Sequence, residues 1–151
     1  KYDQKIEVLN TLTEQYPQSD YADDAMYEIA RAQLQQQQNN EAIVTYRTLI
    51  KRYPKSSRAT KAALEMGMTY RTIKQYDNAI QTFKTTIEKY PTTEEAYAAL
   101  EGLEQIYVNY NKYDKQYIAR YCKENFSSKV IVSKLDNVLK ETILEYNKNN
   151  K

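Results

Sequence analysis

The dipeptide Tyr-Pro stands at residues 16–17, 53–54 and 90–91, and both intervals are 37 residues. These are all 3 prolines of the 151-residue chain. At the same offset Ala22, Ala59 and Ala96 align, as do Ala25, Ala62 and Ala99. Tyr76-Asp77 aligns with Tyr113-Asp114 and, two periods earlier, with Tyr2-Asp3. A fixed period of this length restricts a chain to an array in which each unit buries its apolar face against the next.

Within a period the apolar pattern is helical twice. Ala62, Ala63, Met66, Gly67 and Tyr70 recur at three- and four-residue steps, and after a break at Lys74-Gln75-Tyr76 the residues Ala79, Ile80, Phe83, Ile87 and Tyr90 do so again. Each period therefore reads as a helical hairpin. Proline ends the second helix, because it disfavours α geometry in the residue before it and has no N–H. Ser19, Ser56 or Thr92-Thr93 then stand where they can cap the next helix. Ala30 or Gly67 in the first helix and Ala42 or Ala79 in the second allow close approach, with Tyr70 and Phe83 filling the space beside them. The pattern predicts helices near 2–16, 21–36, 40–53, 58–73, 77–90, 94–110, 113–124 and 128–147.

Composition bears on whether such an array can fold and what it can do. Leu, Ile, Val and Phe supply only 29 residues, a content at the border of disorder, but 16 Tyr can fill a core while keeping a hydroxyl at its rim. A net charge of +2 argues against nucleic acid as a partner, which calls for a dense basic stripe. The chain has no His, which removes the commonest general base and metal ligand. Gly67 and Gly102 alone cannot build a phosphate-cradling loop. Cys122 stands alone, so neither an intramolecular disulfide nor a cysteine-based zinc site is possible. No apolar run approaches the length of a membrane span. The expectation is a chain without catalytic residues, metal or cofactor.

The spacing of Ala63, Met66, Gly67, Tyr70, Ala79, Phe83, Thr86 and Pro91 resembles the tetratricopeptide repeat, as does that of Met26, Ile29, Ala30, Gln33, Ala42, Tyr46, Leu49 and Pro54. The period of that family is 34, so three residues are added here, after Tyr-Pro, in stretches such as 55–58 and 92–95. The resemblance covers residues 2 to about 113. It implies an all-α, right-handed superhelical solenoid of helical hairpins. Its units would be 1–17, the second helix of a repeat begun upstream, then hairpins 22–54 and 59–91, a degenerate hairpin 96–124 and a capping helix 128–147. Tyr-Pro followed by Ser and two Ala three apart is similar to tetratricopeptide proteins of the Gram-negative cell envelope, of the Tol-Pal coordinator and barrel-assembly lipoprotein type. A periplasmic or outer-membrane-associated setting is what that subtype would imply.

In this family the first helices line a groove that holds a peptide or a helix of a partner protein. The groove positions fall on Asp24, Tyr27, Arg31 and Leu34 with Gln35, then on Lys61, Leu64, Met68 and Arg71 with Thr72. In the third unit they fall on Glu101, Gln105 and Val108, with Ala98 and Asn109. Taken one at a time these read as a solvated helix face. As a set they expose Tyr27, Leu64, Met68 and Val108 beside Arg31 and Arg71, a mixture suited to a peptide. Leu64 and Met68 break the carboxylate clamp of the family's chaperone-binding members. The competing reading is a structural segment that extends a longer array or forms a homodimer through its terminal helices.

After Pro91 the motif decays. Glu104 stands where Gly or Ala is expected, and Gln116 and Arg120 replace the small and aromatic residues of the second helix. Tyr113, Tyr117, Ile118, Tyr121 and Cys122 still form an apolar stripe, and Ile131, Leu135, Val138, Leu139, Ile143 and Tyr146 define a last amphipathic helix, read as a cap on the open end of the array or as a docking helix. Gln35 to Asn40 form a polar helix end. Glu94-Glu95 and Glu101 with Glu104 read as helix-start and surface carboxylates rather than a catalytic pair.

Overall fold

In the computed structural model, residues 2–109 are described; the expected helices at 113–124 and 128–147 lie outside them. By their contacts the residues fall into two units, Lys1–Leu103 and Glu104–Lys151. Only the last part of one helix, to Asn109, is described in the second.

Six helices follow one another among the described residues, and no strand occurs: α1 (Tyr2–Gln15), α2 (Ala22–Gln35), α3 (Asn39–Arg52), α4 (Ser57–Thr72), α5 (Tyr76–Lys89) and α6 (Glu94–Asn109). Each end lies within one residue of the boundary the apolar spacing predicts. From α1 to α5 each helix packs on the next, and α2 also touches α4. The array is thus an all-α solenoid of hairpins, α2 with α3 and α4 with α5.

Two kinds of turn alternate, and each repeats at the 37-residue offset. Between hairpins the carbonyls of Tyr16, Tyr53 and Tyr90 accept from the N–H of Ser19, Ser56 and Thr93, at 3.0, 3.0 and 3.1 Å. Proline fits the second position of this turn because its ring presets φ and no N–H is needed there. Ser56 then caps α4, its hydroxyl accepting from the Arg58 N–H at 2.9 Å, and Thr93 accepts from the Ala96 N–H at 3.2 Å. Ser19 does not cap α2. The helix begins after Tyr21, and the Ser19 hydroxyl accepts from the Tyr21 N–H inside the turn instead.

Within a hairpin the chain reverses through Gln37 and Lys74, whose φ values are 61° and 60°. In both turns one N–H reaches back five residues, Gln38 to the Gln33 carbonyl and Gln75 to that of Tyr70, each at 2.9 Å. An inner bond joins Gln37 to Leu34 and Lys74 to Arg71. This is the Schellman helix ending, built here without its usual glycine.

The core runs between the helices of each hairpin. Ala22, Ala42, Ala59, Ala62, Ala79, Ala96 and Ala99 are fully buried and bring backbones together, while Tyr46, Leu49, Phe83 and Ile87 fill the remaining volume. Phe83 lies between the two glycines of the chain. A Cβ at Gly67 would come within 2.5 Å of its ring, and one at Gly102 within 2.7 Å.

Candidate functional site

The neighbouring helices α2 and α4 carry the outward positions expected to face a ligand, and their N-terminal ends are tied together. Asp23 and Asp24 stand in the first turn of α2, where carboxylates complement the helix dipole. Asp24 pairs with Arg58 at the start of α4, and Asp23 accepts from the Ser56 hydroxyl. Because Arg58 is drawn toward Asp24, its guanidinium lies over the Tyr27 ring, 5.3 Å from the centroid.

That arrangement corrects one expectation. Tyr27 is not exposed in a groove but buried, with 7% of its surface accessible. Arg58 covers one side of it, and the Tyr46 ring packs at 5.8 Å, tilted by 50°. Leu34 also packs partly against this cluster. Burial, followed by the charge of Glu65, holds the Tyr27 hydroxyl proton more tightly than usual.

The remaining positions keep more solvent. Arg31 has 57% of its side chain accessible and pairs with Glu28 at 3.4 Å. Lys61 is exposed, and Asp24, Leu64, Met68 and Arg71 are half-buried. Arg31 and Met68 are 37 residues apart, as are Leu34 and Arg71, so cation and apolar group exchange places between the two helices. Glu101 is exposed on α6. Gln105 and Val108 fall in the second unit, and the Val108 side chain lies outside what is described.

Two carboxylates that the sequence reading passed over complete this face. Glu28 accepts from Lys5 of α1 at 2.6 Å and lies beside Arg31, and these cations hold its carboxyl below the ordinary 4.5, the hydrogen bond from Lys5 contributing most. The pair therefore favours the fold fully above about pH 4.5 and loses that contribution as acid carries the pH below Glu28's lowered value. Glu65 is the other, close enough to Tyr27 and Tyr46 to act on both hydroxyls. A signal for them was available: Glu28 and Glu65 are themselves one period apart.

The second helices face a different cleft. Arg47, Ile50 and Lys51 of α3 and Gln81, Thr82, Thr85 and Lys89 of α5 form its sides, over Ala63 and Met66 of α4. Among the described residues no group of three His, Cys, Asp or Glu is placed to hold a metal ion. No described helix is long and apolar enough to cross a membrane.

No curated protein matches the chain. Residues 24–56 and 61–93 each match the family model of the tetratricopeptide repeat, whose members generally mediate protein–protein interaction. The matched stretches correspond to the two hairpins α2 with α3 and α4 with α5, each of which is thus similar to one tetratricopeptide repeat.

Proposed function

We propose that this protein is a non-catalytic interaction module that holds a peptide or helix of a partner protein against the outward face of α2 and α4. The observation that carries this reading is the alternation of Arg31 and Met68 with Leu34 and Arg71 on two touching helices. A bound segment can place an acidic or backbone group on either guanidinium while packing on the apolar neighbour. The test is Arg31→Glu with Arg71→Glu. Substitutions outside the core, as at exposed Arg31 and half-buried Arg71, change stability by about 0.5 kcal/mol, whereas Phe83→Ala in the core should cost about 3–5 kcal/mol. The double Arg variant is expected to melt nearly as the parent does and to lose partners recovered by pull-down. Full retention of those partners, or melting as low as that of Phe83→Ala, would remove this surface from consideration.

A second reading has its own observation. Val8 of α1 is 68% exposed, an apolar side chain open to stacking with a further repeat or a second copy. Concentration-dependent dimers in light scattering that Val8→Glu abolishes would favour that structural role. The cell-envelope setting rests on the Tyr-Pro-x-Ser/Thr turn, and recovery of the protein in the cytosolic fraction of its native cells would discard it.

A further inference from the structure

We propose that the cleft between α3 and α5 is a second docking site, occupied by an acidic peptide segment of a partner protein. It lies on the second helices, apart from the surface of α2 and α4 discussed above.

The cleft has a volume of about 350 Å³, and its rim carries Arg47, Lys51 and Lys89, with no carboxylate among its lining residues. The whole chain is nearly neutral, so a wall with cations alone is a local segregation of charge. The contrast with the first-helix face is direct. There Asp24 pairs with Arg58, and Glu28 with Lys5 and Arg31. Among the described residues neither Lys51 nor Lys89 has a carboxylate partner. Arg47 is already oriented, donating to the Tyr70 hydroxyl at 2.7 Å, and the rest of its guanidinium remains available to a carboxylate.

The floor suits a peptide rather than a small anion. Ile50, Met66 and Tyr90 are half-buried and supply apolar contact beneath the cations. One turn before Arg47, Val44 is 59% exposed on the same side of α3 and extends that contact. A segment with carboxylates along one edge and an aliphatic residue between them complements both parts. Salt should weaken it, because the contributing charges are at the surface.

The test uses the full chain and three dye-labelled peptides, followed by fluorescence anisotropy at low and high salt. One is glutamate-rich with a central leucine, one has glutamine in place of glutamate, and one has lysine there. The glutamate peptide alone should bind, and Lys51→Glu with Lys89→Glu should weaken it about tenfold. Both lysines are exposed, so the melting temperature should hold; Lys51→Gln with Lys89→Gln provides a milder variant with the same direction of effect. Arg31→Glu with Arg71→Glu should leave this binding intact, which separates failure here from failure of the first-helix proposal. Equal binding of the glutamine peptide would overturn the inference. So would an affinity untouched by either lysine variant, or displacement of the peptide by a single-stranded oligonucleotide.

Discussion

Tyr46 and Phe83 hold the same place in successive repeats and differ by one hydroxyl. Their surroundings differ to match. Around Phe83 stand Gly67 and Gly102; one period earlier the corresponding residues are Ala30 and Glu65. The Tyr46 side chain is fully buried and its hydroxyl finds no hydrogen-bond partner among the described residues. Burial, and next the charge of Glu65, raises its pKa well above the ordinary 10.0. Leaving a buried hydroxyl unpaired costs about 1–3 kcal/mol, so Tyr46→Phe should stabilise the protein by about 1 kcal/mol in urea denaturation at neutral pH. The pH dependence has a definite sign. Above pH 10 the unfolded chain loses this proton while the folded one keeps it, so stability that is intact below pH 10 falls as pH rises. Tyr46→Phe should make that alkaline decline shallower, with Tyr27 and Tyr90, also raised, accounting for what remains. Gly67→Ala tests the other repeat. In an exposed helix it would gain about 1 kcal/mol. Here the new methyl meets a buried ring, and a loss of about 1–3 kcal/mol is expected in the same measurement.

The hairpin turn is the element that most departs from its ideal chemistry. Gln37 and Lys74 both adopt the left-handed conformation that glycine takes without cost. Lys74 is exposed and the turn closes through backbone bonds, so its side chain has no structural part in the reversal. Lys74→Gly should therefore raise stability by about 1 kcal/mol, and Lys74→Val should lower it, as read by thermal unfolding. The break between the apolar runs is visible in the sequence, since neither helix pattern continues across Lys74-Gln75-Tyr76. Its handedness is not, because the polar residues there carry no mark of positive φ. Helix starts were legible wherever a hydroxyl residue sits at the right distance, as at Ser56. Ser19 shares the spacing, yet α2 begins at Ala22 with no side-chain cap, and Asp23 and Asp24 in its first turn complement the exposed N–H groups instead.

At the scale of the whole array, nearest-neighbour contacts between repeats decide how the hairpins act together. Three groups span the junction from α2 to α4: Asp23 with Ser56, Asp24 with Arg58, and the Tyr53 hydroxyl, which donates to the Pro17 carbonyl at 2.7 Å. Arg58 also shields Tyr27, so Arg58→Ala should cost about 1 kcal/mol and leave the Tyr27 ring more open to solvent, seen as a shift in tyrosine fluorescence and lower melting. By itself the sequence determined the period, the six described helices to within a residue, the hairpin pairing and the close approach at Gly67, because apolar spacing, proline and small residues act locally and recur at a fixed offset. Only the tertiary structure decided that Gly102 meets Phe83, that Tyr27 is covered, and that a cationic cleft opens between α3 and α5. Each of those depends on groups from a neighbouring repeat whose distance is set by packing rather than by position in the chain.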